Sequence, residues 1–133
     1  MLNVEKIYVV HYTRLVERKM HMDKFFRGLN NIPEYIYKFD RDDLTPEIIK
    51  EYYNPSEEEY DKKILGVYGP HSNKYRHLRE AEISCTIKHY SAIKKLGDEV
   101  EEYGLIFEDD IMFVDNFIPL FNRYLKNTPD DWD

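Results

Sequence analysis

Three short apolar runs punctuate this chain, and the segments between them carry a different periodicity. Ile7-Tyr8-Val9-Val10, Tyr35-Ile36-Tyr37-Lys38-Phe39 and Tyr103-Gly104-Leu105-Ile106-Phe107 are rich in β-branched and aromatic residues. Runs of this length and composition read as buried strands. After Thr13, a residue able to cap a helix, Leu15, Met22, Phe26 and Leu29 recur near helical spacing until Gly28 and Asn30-Asn31 break the pattern. Strand, helix and strand in that order fit a right-handed βαβ unit, with the second strand ending at Asp40. The expected fold class is therefore α/β with a parallel sheet.

The third run leads straight into Glu108-Asp109-Asp110. Ligands of open α/β sheets bind just beyond the carboxyl ends of the strands, so three carboxylates are delivered to that place. Two like charges about 4 Å apart repel by roughly 4 kcal/mol at an effective dielectric near 20. Such a cluster needs water to solvate it or a cation to neutralise it. Oxygen-rich acidic sites suit hard cations such as Mg²⁺ or Mn²⁺. A metal site that holds a phosphorylated substrate is one reading, and a solvated turn or helix N-terminus is the other.

A length of 133 residues supports one domain with a real core. The net charge of −7, with no long basic block, argues against nucleic-acid binding. An acidic protein that handles an anionic nucleotide needs a cation or a local cluster of Arg and Lys. Cys85 is the single cysteine, so no intrachain disulfide is possible. The N-terminal segment carries charge where a signal peptide would be apolar, and no segment has the length of a membrane span. A cytoplasmic location is expected. Few glycines and 12 tyrosines fit AT-rich coding DNA, viral or microbial.

Thr45-Pro46-Glu47 marks a helix start, with a cap residue followed by Pro at the first position. Ser56 with Glu59 forms a capping-box pattern, and Gly66 to Arg76 reads as a loop. His71 and His77 lie in this region without metal-ligand spacing. A long helix is expected from about Glu80 to Leu96. Its polar sector is narrow (Ser84, Lys88, Ser91 and Lys95), so the helix is expected to be packed on more than one side, with His89 on the buried side. Asp115 is placed to cap a last helix whose stripe is Phe117, Leu120, Phe121, Tyr124 and Leu125, ended by Asn127-Thr128-Pro129. Asp131-Trp132-Asp133 looks like the entry to another strand. Residues 1–133 are accordingly read as a single, partial domain that stops in mid-architecture, with an unfinished sheet edge favouring self-association.

Four stretches, in order, resemble glycosyltransferase family 25, which includes lipopolysaccharide-type galactosyltransferases and the collagen hydroxylysine galactosyltransferases. Residues from Ile7 to Arg18 are similar to the family's opening strand and its Asn-Leu-x-x-Arg-x-x-(Asp/Glu)-Arg turn, with Arg18 matching the closing Arg and His11-Tyr12 in place of Asn-Leu. Asp40 falls where the family has a strand-ending Asp. Ala81-Glu82-Ile83-Ser84-Cys85-Thr86-Ile87-Lys88-His89 resembles Gly-Glu-Ile-Gly-Cys-x-x-Ser-His, keeping Glu82, Cys85 and His89 but losing both glycines and the serine. Leu105-Ile106-Phe107-Glu108-Asp109-Asp110 resembles Val-Leu-Glu-Asp-Asp, and Asp131-Trp132-Asp133 matches a downstream Asp-Trp-Asp. The match spans nearly the whole chain but only the N-terminal half of the family domain.

The resemblance implies a GT-A-like (Rossmann-like) nucleotide-sugar-binding sandwich, truncated at its C-terminus. It implies inverting transfer of a sugar, galactose or glucose, from a UDP-sugar donor to a glycan or hydroxylysine-type protein acceptor, assisted by Mn²⁺ or Mg²⁺. On this resemblance Asp110 is the first metal ligand and Asp109 the second. Glu108 would orient a ligand or accept a ribose hydroxyl, Arg18 would reach a phosphate or the uracil, and Asp40 would bond a ribose hydroxyl. His89 would stand near the donor site. The base that deprotonates the acceptor is expected from the half of the domain this chain does not match. Two other readings stand beside it: a catalytically inactive nucleotide-binding relic, and an acidic protein-interaction module.

Overall fold

The computed structural model describes residues 1–54, 78–100 and 102–129. They fall into two compact units, one formed by Met1–Lys38 with Lys88–Asp133 and the other by Phe39–Ile87. The elements are β1 (Lys6–Val10), α1 (Val16–Phe26), β2 (Glu34–Ile36), α2 (Pro46–Tyr52), α3 (Glu80–Glu99), β3 (Gly104–Glu108) and α4 (Phe117–Lys126). The Ser56–Glu59 capping pattern, the Gly66–Arg76 loop, His71, His77 and Asp131-Trp132-Asp133 lie outside the described residues.

In the first unit the three strands form a parallel sheet in the order β2-β1-β3. A central parallel strand is covered on both faces, which explains why β1 has no polar alternation. Ile7 and Val9 enter one cluster with Leu2, Met22 and Phe26, against which Leu105, Phe107, Phe117 and Phe121 pack. Tyr8 points the other way, into a cluster with Ile36, Ala92, Leu96 and Ile106. Thus α1 and α4 cover one face and α3 covers the other, giving three layers. Each fully buried Val, Leu, Ile, Phe or Met side chain contributes about 1.5–3 kcal/mol relative to exposure. Gly104 begins β3 where a Cβ would run into Leu96 Cδ2, so a side chain there would force Leu96 to move.

Several boundaries differ from the sequence reading. α1 starts at Val16, not after a Thr13 cap: a turn closed by the Leu15 N–H on the Tyr12 carbonyl (2.9 Å) takes up that segment. β2 ends at Ile36 rather than Phe39, because β1 stops at Val10, the partner of Ile36. Phe39 then adopts φ +70°, which an extended strand excludes. α4 is preceded by Asn116, and no side chain caps it; Asp115 does not have that role.

The long helix α3 corrects the expected polar face. Ser84 and Lys88 are buried, whereas Tyr90 and Ile93 are 56% and 60% exposed. The supposed solvent strip therefore begins on the inner side, and part of the apolar surface faces water.

In the second unit, Thr45 caps α2 as expected, its hydroxyl accepting the Ile48 N–H at 3.3 Å, with Pro46 at the first position. Phe39 packs edge-on against Tyr52 (5.6 Å), and the Ser84 hydroxyl donates to the Phe39 carbonyl at 2.6 Å. Glu82 reaches back to the N–H of Arg79, just before α3, at 2.7 Å. That is the return half of a capping box.

α1 is tied to β2 through Asp23. Lys19 Nζ donates to one oxygen (2.6 Å) and the Tyr35 hydroxyl to the other (2.7 Å). Burial raises the Asp23 pKa, but the hydrogen bonds from Lys19 and Tyr35 outweigh it, and the net shift is downward. A carboxylate depressed on folding contributes stability above its unfolded pKa of about 3.9. That contribution is lost as pH falls through the lower, folded value. Titrating the melting temperature through this acid range is expected to show a smaller loss for Asp23→Asn than for the wild type. Equal losses would remove Asp23 as the source.

Candidate functional site

The parallel register builds the site. Val10 pairs with Glu108, so the next residues along, His11 and Asp109, emerge side by side at the carboxyl end of the sheet. His11 is 2% exposed and Asp109 5%. His11 Nδ1 donates to Asp109 Oδ2 at 2.6 Å; a carboxylate only accepts, so Nδ1 carries the proton of this bond. The rings of Tyr35 and Tyr37 stand edge-on to His11 at 5.7 and 5.8 Å. Its carbonyl receives the buried Lys88 Nζ at 2.5 Å.

Arg18, in the first turn of α1, completes the arrangement. Its Nη1 donates to Asp109 Oδ1 at 3.0 Å and to Asp110 Oδ2 at 3.1 Å. The hydrogen bond to Asp109 leads in raising the guanidinium pKa further; burial opposes it, and the charges of both carboxylates add to it. Asp110 and Arg18 are about half exposed, at 51% and 45% of the side chain. They edge an open depression of about 270 Å³ between α1, with Glu17 and His21, and the segment after β3, with Ile111 and Met112. Small-molecule sites run to about 300–1,000 Å³, so a whole nucleotide sugar would extend beyond it. Glu108, the last residue of β3, accepts from His89 Nε2 at 3.1 Å.

The segment carrying the carboxylates is held from below by aromatic packing. Phe113 stacks on Phe25 of α1 at 3.3 Å and meets Phe117 edge-on at 5.1 Å.

Of the residues singled out from sequence, Arg18, Asp109 and Asp110 come together, and Glu108 with His89 forms a neighbouring pair. His89 is not fully buried as expected; its side chain is one-third exposed. Asp40 is not at a strand end. It is buried and opens a short 3-10 turn, Arg41–Asp43, accepting the Asp43 N–H on its carbonyl at 2.8 Å, and it belongs to the second unit.

His11 and Lys88 were missed as site residues. The signal for His11 was available: it directly follows β1, as Asp109 follows β3, and adjacent parallel strands set such positions beside each other. Lys88 gave no signal, because a lysine on a polar helical strip reads as solvated.

A divalent cation held between Asp109 and Asp110 would have to take the place of the Arg18 guanidinium. Asp109 has both oxygens engaged, whereas Asp110 keeps one oxygen outside these bonds. The pair therefore fits a metal only once Arg18 has left it.

The family model for glycosyltransferase family 25, described as an LPS biosynthesis protein family, matches residues 4–132. The chain belongs to glycosyltransferase family 25. Comparison with curated protein sequences gave no match. Membership in family 25 gives glycosyl transfer as the general class of activity, with a sugar donor and an acceptor as substrates. The three-stranded parallel sheet is compatible with a Rossmann-like fold. No helix among the described residues is long and apolar enough to cross a membrane.

The two aspartates are not equivalent, and stability measurements separate them. Asp109→Asn turns an acceptor towards buried His11 into an amide that satisfies only one of its two donors. This is expected to cost about 1–3 kcal/mol in urea denaturation. Asp110→Asn breaks a half-exposed pair and is expected to cost under about 1 kcal/mol. Equal costs would contradict the buried role of Asp109.

Proposed function

We propose that this family 25 chain is a hexosyltransferase that takes a UDP-sugar as donor in a GT-A-like site. The sugar passes to a glycan or hydroxylysine-type acceptor with inversion. The observation that carries the donor reading is the half-exposed Arg18 guanidinium, set by a buried carboxylate at the carboxyl end of the sheet. Nη1 alone makes both carboxylate bonds. The remaining N–H groups of the guanidinium are left for an anion, in the fork geometry that suits phosphate.

The departing diphosphate gains negative charge as the glycosidic bond breaks. A fixed cation at that point is worth more in the transition state than in the ground state. Asp109, braced by His11, and Asp110 set the Arg18 guanidinium at the carboxyl end of the sheet, beside the depression. Asp110, with Asp109, would hold Mn²⁺ or Mg²⁺, which supplies Lewis-acid stabilisation of the leaving group when bound. Glu108 and His89 flank this position and are assigned to orienting the donor. None of the described residues is assigned as the acceptor's base.

Calorimetric titration with UDP tests the reading. The wild type is expected to bind, and Arg18→Ala to weaken binding about ten- to a hundredfold, the loss of a hydrogen bond to a charged group. No heat and no melting-temperature shift at millimolar UDP would overturn the donor assignment. An unchanged affinity in Arg18→Ala would remove Arg18 from it.

A further inference from the structure

One nitrogen of Arg18 bridges Asp109 and Asp110, at 3.0 and 3.1 Å. The acidic pair thus already has a cation, and that cation belongs to the chain. We propose that Arg18 and a divalent metal ion are alternative occupants of the Asp109–Asp110 pair, so that the arginine holds metal affinity down until it is drawn away. The proposal deepens the donor-site reading and rests on it only for the choice of Mn²⁺.

The physical basis is competition for the same oxygens. A hard cation binds carboxylate oxygen directly and at short range. Asp109 Oδ1 and Asp110 Oδ2 are the oxygens that face each other across Nη1, and Asp109 Oδ2 is committed to His11. An ion that bridges these two facing oxygens would sit where Nη1 now sits. Leaving the guanidinium in place would also set two like charges against each other within a few ångströms. Arg18 is free to leave: its side chain is 45% exposed and opens onto the depression beside it. Asp109 is not, because it directly follows β3 and His11, directly after β1, anchors it.

The consequence is linkage between an anion and a metal. A diphosphate that takes up the guanidinium vacates the carboxylates, and a metal that takes the carboxylates releases the guanidinium. Each ligand then favours the other, by the reciprocity that any coupling between two sites obeys. Without nucleotide the Arg18-bridged arrangement prevails, and the site binds metal weakly.

The test is a Mn²⁺ titration without nucleotide, with free Mn²⁺ read from its electron paramagnetic resonance signal. Arg18→Gln is expected to bind Mn²⁺ about five- to tenfold more tightly than the wild type, within the usual span of site-to-site coupling. Asp110→Asn added to Arg18→Gln is expected to abolish the gain. Lys19→Gln, which removes an equal charge one residue away, is expected to leave Mn²⁺ affinity unchanged.

The proposal is overturned if Arg18→Gln binds no more tightly than the wild type, if the gain survives Asp110→Asn, or if Lys19→Gln matches it. Arg18→Lys keeps the charge and the stem, and is expected to fall between wild type and Arg18→Gln. It carries the comparison should Arg18→Gln lose its cooperative melt in EDTA. Because no nucleotide is present, failure here would leave the UDP titration standing, and failure of the UDP titration would leave this one standing.

Discussion

Asp109 is a carboxylate almost sealed from water, and its two oxygens are met by a side chain just past the end of β1 and another from α1. Taking an ionised group out of water costs several kcal/mol unless hydrogen bonds replace its hydration. The three elements that meet at Asp109 are therefore not independent. β1 and β3 must pair with Val10 opposite Glu108, and α1 must begin late enough for Arg18 to face the strand ends. The apolar clusters on both faces of the sheet supply the driving force. A shifted register would leave the buried Asp109 carboxylate without these partners, a cost that arrangements covering the same apolar surface with the charges misplaced would bear.

The extent to which the sequence displays this fold follows from where the deciding interactions lie. β1 and β3 were legible because a strand covered on both faces has to be apolar throughout. The end of β2 was not, since it depends on where its neighbour stops and on the positive φ of Phe39. Thr45 with Pro46 was a secure helix start because cap and first residue are local. Thr13 and Asp115 were equally good cap residues by type, yet each is taken up in a turn before its helix, closed by the Leu15 N–H on the Tyr12 carbonyl and by the Phe117 N–H on the Val114 carbonyl. The polar strip of α3 misled because its inner end is paid for by partners distant in sequence. Ser84 bonds a carbonyl 45 residues away and Lys88 one 77 residues away.

The acidic cluster was legible as a cluster and illegible as three residues. Side chains alternate along a strand, and just beyond its end the same alternation sends Asp109 inward and Asp110 outward. Sequence alone ranks the two aspartates by analogy. The register ranks them by burial, making Asp109 the anchor and Asp110 the accessible partner. A one-residue slip of β3 against β1 would exchange the roles and leave an acidic side chain without its histidine.

The stack of Phe113 on Phe25 has a mechanical meaning. It bolts the turn bearing Asp109 and Asp110 to the helix bearing Arg18, at a point below both, so the two banks of the depression share a common footing. A ligand arriving there meets a groove whose two walls are joined by this contact. The long, half-exposed Arg18 side chain stands on one of those walls, with its stem anchored in the helix that Phe25 fastens.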